Sequence, residues 1–268
     1  GNVAIGVEAC ENTTTTSNNT CVGKQAGRNI NAGSNVFIGN SAAVTATSTD
    51  TSVVIGDDAG SSLTSAGNNT FVGRSAGDGI TTGGQNVIVG KLTDGGAAGA
   101  SGRIVIGYNV NGTSNQRVTL GYGSNKVEID LDGSDTSWAA SSDVRLKENI
   151  QDSSAGLSFI NDLRPVTFDW KKRKDITPEL DEYYKEGSEK RIHGKEGITY
   201  HGFIAQEIEE VISNHSEVMN GLGFLNSRDD GVLTAAPSAL VPILVKSIQE
   251  LSAKCDSLQN EINTLKGE

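Results

Sequence analysis

One five-residue string recurs eight times in the first half of this 268-residue chain. It reads NVAIG at 2–6, NTCVG at 19–23, NVFIG at 35–39, SVVIG at 52–56, NTFVG at 69–73, NVIVG at 86–90, RIVIG at 103–107 and RVTLG at 117–121. The closing glycines are spaced 17, 16, 17, 17, 17, 17 and 14 residues apart. Repetition at so steady a period marks a solenoid, in which each repeat is one rung and neighbouring rungs supply the core that none can bury alone. This constraint overrides composition, because a stretch rich in Gly, Ser, Thr and Asn would otherwise read as disordered.

Within each rung, β-prone residues predict a short strand. The glycine ends it because glycine alone takes positive φ cheaply. Val3/Ile5, Val36/Ile38, Val53/Ile55, Val87/Val89 and Ile104/Ile106 share one face of their strands. Ala4, Phe37, Val54, Ile88 and Val105 occupy the other face and are apolar too. A lone solenoid needs one buried face, so apolar residues on both predict that the second is also covered. An identical chain is the simplest cover and predicts a homo-oligomer with rungs stacked around an axis. A monomeric two-layer sheet is the other solution. The loops ENTTTTSN (11–18) and VTATSTDT (44–51) stack into a hydroxyl-rich outer surface. That surface reads either as a glycan-binding ridge or as ordinary solvated turn chemistry.

Composition changes at Ser141/Ser142. Residues 1–141 hold 24 of the 33 glycines, none of the four prolines and a net charge of −4. Residues 142–268 hold all four prolines and a net charge of −7, with the charge density of an ordinary mixed domain. The whole chain carries −11. Such acidity repels phosphate backbones and argues against a nucleic-acid partner. No apolar run approaches the roughly 20 residues needed to span a bilayer, and no signal pattern opens the chain, so membrane insertion is not expected. The chain starts at Gly1 rather than Met and is expected to be a piece of a longer protein. Cys10, Cys21 and Cys255 are too few and too scattered for a disulfide framework or a zinc site. No metal and no cofactor is expected.

Past the last rung, KVEIDLDG (126–133) predicts a strand and turn, and the Ser-rich run into SDVRLKENI (142–150) predicts a domain boundary. LRPVTFDWK (163–171) predicts a strand, and the charged stretch 171–197 an exposed hairpin or insertion. GITYHGFIAQEIEEVI (197–212) reads as a strand entering an amphipathic helix, with Ile204, Ile208, Val211 and Ile212 on one face. Near the C-terminus Leu244, Ile248, Leu251, Cys255, Leu258, Ile262 and Leu265 are spaced alternately four and three apart, a coiled-coil seam of about three heptads. Ile248, Cys255 and Ile262 take the a positions and the leucines take d, a pattern that in a parallel coil favours two strands. Pro242 fits the start of this helix, where its missing N–H costs nothing.

The repeats over residues 2–125 resemble the head repeats of trimeric adhesins and phage tail fibres, which wind into a trimeric β-roll. The ordered strings SDVRLKENI, LRPVTFDWK, GFIAQEIEEV (202–211) and VPILVKSIQEL (241–251) resemble the C-terminal intramolecular chaperone of endosialidase-type phage tailspikes. Together the resemblances imply a mainly β, trimeric β-roll or solenoid over 1–125, a linking strand over 126–141, and an α+β chaperone domain over 142–268 ending in a coiled-coil helix. The chaperone resemblance implies a homotrimer, guided folding of the upstream β-structure, and then self-cleavage. It implies a serine–lysine dyad at Ser142 and Lys147, with Asp143 and Arg145 completing the S-D-x-R-x-K string, and a cut at the Ser141–Ser142 bond. Three strands at the seam Leu244, Ile248, Leu251, Leu258, Ile262 and Leu265 follow from it as well. It further implies a virion tail location facing the host cell, a glycan or protein receptor for the N-terminal part, and release of the chaperone domain in the host cytoplasm.

The chemistry is sensible on the residues alone. A serine hydroxyl needs a base, and a lysine serves where burial or a nearby cation disfavours its charged form. His193, His201 and His215 have no motif link to a serine, so a Ser-His-Asp triad is poorly supported. Covalent geometry places the Ser142 hydroxyl beside the preceding carbonyl, and burial of Lys147 in the folded trimer, with backbone donors to the oxyanion, would supply activation. Taken singly, Ser142 and Lys147 also read as a helix cap and a solvated charge. Two other functions fit less of the sequence. One is an adhesin stalk with a trimerisation domain that never cuts. The other is a glycan hydrolase, for which Asp57/Asp58 is the one adjacent acidic pair in the rungs, and strand neighbours point to opposite faces.

Overall fold

The computed structural model describes residues 1–131, 133, 138–139, 142–218, 223–228 and 230–267. The chain divides into two compact units, Gly1–Glu148 and Asn149–Glu268.

In the first unit the eight strings become eight strands. β1 (Val3–Ile5), β2 (Thr20–Val22), β3 (Val36–Ile38), β4 (Val53–Ile55), β5 (Thr70–Val72), β6 (Val87–Val89), β7 (Ile104–Tyr108) and β8 (Arg117–Tyr122) pair in chain order, each parallel to the one before. This is a β-solenoid of about seven turns. Equivalent residues stand in register, so Cys21, Phe37, Val54, Phe71, Ile88 and Val105 form one column. All six are fully buried and meet Ala26, Ile30, Ala42, Leu63, Ala76 and Ile80 from the turns. The flanking positions alternate to the outer face. There Val53, Ile55, Val87 and Val89 are half-buried, while Val3, Ile5, Ile38 and Ile106 are exposed. The chain thus has one buried apolar interior and one apolar face on its outside.

Two ladders explain the fixed ends of the string. From Gly6 to Gly107 each closing glycine has φ between +124° and +150°. The next rung passes directly over it, and a Cβ on Gly73 would stand 2.6 Å from the Gly90 carbonyl oxygen. The eighth, Gly121, departs from this because β8 runs on and β9 (Asn125–Asp130) folds back antiparallel onto it. The second ladder starts one residue before each strand. Asn2, Asn19, Asn35, Ser52, Asn69 and Asn86 each accept, through a side-chain oxygen, the backbone N–H of the equivalent residue one rung on, at 2.9–3.1 Å. Five of these six positions are buried, so each link removes an orphan donor that would cost about 1–3 kcal/mol.

Cys10 and Cys21 form a disulfide, with Cα atoms 5.9 Å apart, and staple the first turn to β2. The cysteine count gave no reason to expect this bond, because the pairing depends on the rung geometry and not on spacing.

The second unit is α+β. α1 (Leu157–Asp162) precedes β10 (Val166–Phe168), which pairs antiparallel with β11 (Tyr200–Gly202). Between them Lys172 bridges Arg191, closing the charged stretch into an irregular hairpin. β11 leads into α2 (Ala205–Asn214), and β12 (Leu225–Ser227) and β13 (Leu233–Ala235) form a second small hairpin. The last helix, α3 (Val241–Lys266), has Pro242 in its first turn and Gly267 as a left-handed cap. Ala155, Phe159, Leu163, Ile208, Val218, Phe224, Leu240 and Ile243 close the core. The 3.6-residue period of α2 buries Ile208 and leaves Val211 and Ile212 packed at its margin.

Candidate functional site: the turn from Ser142 to Lys147

The S-D-x-R-x-K string folds into a single 3₁₀ turn over Val144–Leu146. Asp143 caps it. Its carboxylate accepts the Arg145 backbone N–H at 2.9 Å and the Arg145 guanidinium at 2.9 and 2.6 Å. The Arg145 side chain, and then its backbone N–H, hold the Asp143 carboxyl below the usual carboxylate range. The Asp143 carboxylate in return raises the Arg145 guanidinium. The Leu146 N–H reaches the Asp143 carbonyl at 3.0 Å and the Lys147 N–H the Val144 carbonyl at 3.1 Å.

This turn reverses what an extended chain would do. Five residues of extended backbone would part Ser142 from Lys147 by about 17 Å. Across the 3₁₀ turn, Lys147 Nζ instead donates to Ser142 Oγ at 2.7 Å. The sequence-predicted pair is therefore in contact. Asp143 and Arg145 shape the turn through each other, while the Lys147–Ser142 contact closes across it. Ser141 lies outside the described residues, and with it the carbonyl half of the expected cleavage bond.

The site is open in the single chain. Ser142 and Lys147 are exposed, and so are the apolar Val144 and Leu146 of the turn; Ile150, three residues on in the chain, is exposed too. The hydrogen bond runs from the lysine nitrogen to the serine oxygen. Base catalysis needs the reverse, a hydroxyl donating to a neutral amine, and desolvation of the lysine favours that state.

The seam residues Leu244, Ile248, Leu251, Leu258, Ile262 and Leu265 line one side of α3 and are all exposed, Ile248 at 66% and Leu265 at 87%. Sequence reasoning missed two arrangements in the second unit. His215 is buried between Asp162 and Glu217, at 2.8 and 2.7 Å. Glu250 of α3 accepts the Leu157 N–H at 2.8 Å, across 93 residues of chain. No local pattern announces such long-range partners.

Residues 142–217 match the family of peptidases described as chaperone of endosialidase, and the match opens on Ser142. It supports an intramolecular chaperone role for this part of the chain, joined to a β-solenoid. No curated protein and no solved structure matches the chain.

Proposed function

We propose that residues 142–268 guide the upstream solenoid into a homotrimer and then sever themselves from it at the Ser141–Ser142 bond, using Ser142 as nucleophile and Lys147 as base. What remains is a trimeric host-attachment fibre of a viral tail, bound to a glycan or protein receptor, with the chaperone part left in the host cytoplasm. The 2.7 Å contact between Lys147 and Ser142, at the first residue of the family match, carries this reading. The outer apolar face of the rungs and the exposed seam of α3 support the trimer, since both are surfaces that water penalises.

The chemistry is an acyl shift followed by hydrolysis. Neutral Lys147 takes the Ser142 hydroxyl proton as Oγ attacks the carbonyl carbon of residue 141. The tetrahedral intermediate collapses, the C–N bond breaks, and the lysine returns its proton to the departing Ser142 amine. The acyl group now rests on Ser142 Oγ as an ester. Water cleaves that ester and restores the hydroxyl, so protons and atoms balance with water as the co-reactant. Proximity is intrinsic because nucleophile and leaving amine belong to one residue. Activation waits on assembly, which would cover Val144, Leu146 and Ile150 and desolvate Lys147.

A second reading has one observation in its favour. Ser142 and Lys147 are exposed in the single chain, as a trimerisation domain that never cuts would leave them. A denaturing gel separates the two. Self-cleavage gives fragments of 141 and 127 residues, abolished in Ser142→Ala, whereas the silent scaffold gives one band throughout.

A further inference from the structure

The central column of the solenoid does not stop at β7. Val105 stands opposite Thr119 of β8, and Thr119 opposite Glu128 of β9. Glu128 then stands opposite Ala139 in an isolated antiparallel bridge. The Ala139 N–H donates to the Glu128 carbonyl at 2.8 Å, and the Glu128 N–H to the Ala139 carbonyl at 2.9 Å. The two residues exchange both bonds, as the hydrogen-bonded kind of antiparallel pair does. The column that runs from Cys21 to Val105 therefore sets, rung by rung, the place of a residue in the segment leading to Ser142.

Glu128 is a firm anchor. Its side chain is 17% exposed and pairs with Arg117 and Lys126, each at 3.5 Å. It also accepts the Thr113 and Thr119 hydroxyls at 2.7 and 3.1 Å. Arg117 in turn grips Asp130 with two bonds of 2.5 and 2.7 Å, so β8 and β9 are tied across the hairpin by side chains as well as backbone. Ala139 is exposed, so the bridge holds it by backbone bonds and not by burial of its side chain. This is how an edge strand holds an extended peptide, with main-chain bonds that do not depend on side-chain identity.

Ala139 lies three residues before Ser142, at most about 11 Å away along an extended chain. Ser142 is itself held by Lys147 across the 3₁₀ turn. The 141–142 bond thus falls between two fixed points, both within the unit Gly1–Glu148. Covalent geometry keeps the Ser142 hydroxyl near the preceding carbonyl, but attack also needs that carbonyl turned to the right face, which restraint on both sides supplies.

We propose that the Glu128–Ala139 bridge is a positioning contact for self-cleavage: β9 holds the acyl side of the 141–142 bond while the Ser142–Lys147 turn acts on it. Glu128 takes its place only once β9 has folded onto the last rung, so the cut waits on the closing hairpin of the solenoid. The inference rests on the self-cleavage reading above, and its test keeps the two apart.

In the full chain, Ala139→Pro removes the donated N–H and sets a ring against the Glu128 carbonyl. Ala139→Gly keeps both bonding groups. Trp138→Pro is the control, because the N–H groups on either side of a hydrogen-bonded pair point away from the partner strand. Three quantities are read on each: trimer yield by light scattering, self-cleavage rate by denaturing gel, and amide exchange over residues 125–131 by mass spectrometry. Exchange is read in a Ser142→Ala background, which keeps the chain whole. Ala139→Pro is expected to trimerise at wild-type yield, to speed exchange over 125–131, and to slow cleavage about tenfold. Ala139→Gly and Trp138→Pro should cleave within about twofold of wild type, since neither removes a bond of the pair. Unchanged exchange in Ala139→Pro removes the bridge and the proposal with it. Faster exchange with wild-type cleavage overturns the positioning role while self-cleavage stands. Equal slowing in Trp138→Pro assigns the effect to proline in the segment and also overturns it. Loss of trimer in Ala139→Pro makes the bridge a folding contact only, with the same result. If wild type itself stays whole under conditions where its trimers form, the self-cleavage reading fails first and takes the positioning role with it.

Discussion

Phe37 lies over Gly27 so closely that a Cβ on the glycine would stand 2.5 Å from Phe37 Cδ2. Gly27 occupies the fourth place after its closing glycine, and Phe37 is the centre of the strand that follows. The same place recurs in other rungs: a Cβ on Gly60 would stand 3.2 Å from Phe71 Cδ2, and one on Gly77, a rung further on, 2.7 Å from the same ring. Where the following strand carries the smaller Val54 at its centre, the place holds Ala43. Glycine thus stands where the phenylalanine rings need room, as close packing requires.

Gly27→Ala should therefore destabilise the solenoid by about 2–4 kcal/mol, combining overpacking with the strain of a side chain at φ +56°. Gly123→Ala, at φ +60° with nothing within 4 Å of its Cβ, should show the strain alone, about 1–2 kcal/mol. Adding Phe37→Val to Gly27→Ala reproduces the Ala43/Val54 pairing. The double mutant should cost at least about 1 kcal/mol less than the two single changes summed. Urea unfolding of the four variants checks this, and strict additivity would remove the packing explanation.

In the first turn the same two places hold Cys10 and Cys21, bonded to each other. The covalent link fills the space that glycine and phenylalanine share elsewhere. Loop-closure entropy for an 11-residue separation gives the bond about 3 kcal/mol of stabilisation. In a Cys255→Ser background, Cys10→Ser/Cys21→Ser should speed amide exchange over residues 3–13 while leaving β5–β6 unchanged. Equal exchange of residues 3–13 in the two proteins would show that the bond constrains nothing.

Rungs were legible because their cause is local: three β-prone residues and a glycine, repeated, dictate a strand and a stop whatever surrounds them. The leading Asn of the string was equally visible, but its ladder was not, since each amide serves the rung above. Ser142 and Lys147 were singled out by a family resemblance and not by geometry, and their 2.7 Å contact depends on the 3₁₀ turn that Asp143 caps. Glu250 with Leu157 and His215 with Asp162 were not legible, because those partners lie 93 and 53 residues apart and meet only through tertiary packing. The disulfide falls between these cases: 11 residues of separation look arbitrary until the rung geometry is known.

His215 makes the second unit sensitive to pH, and the sign follows from its partners. Asp162 first, then Glu217, raise the folded imidazole above its ordinary value, against the opposing effect of burial. A raised folded value stabilises fully below the unfolded value near 6.5 and is lost as pH climbs through the folded one. Glu217 is lowered in turn, chiefly by His215, so its contribution fades as pH falls through its own folded value. The pair should therefore support the core best between about pH 4.5 and 6.5 and progressively less on the alkaline side. Thermal melts of residues 142–268 in the wild-type full chain should show a decline from pH 6 to 8.5 that His215→Gln flattens. An identical slope in the mutant would assign the dependence to other groups.

On the proposed function the seam ties assembly to chemistry, and Ile248→Asp/Leu251→Asp tests that tie. Each chain would then carry two carboxylates on a stripe that is apolar and exposed in isolation. Because the stripe already faces water, the single chain should fold with little penalty. In a trimer the same change would bring six carboxylates to one axis, where burying unpaired charge costs several kcal/mol per site. About three heptads of contact cannot offset that, so trimer yield should collapse. If Lys147 becomes a competent base only where assembly covers Val144, Leu146 and Ile150, cleavage should fall in step with trimer yield. If the Ser142–Lys147 contact suffices in each monomer, cutting should persist. Light scattering and a denaturing gel on one sample decide the matter: a monomeric population cleaving at the wild-type rate would show that the cut does not sense assembly.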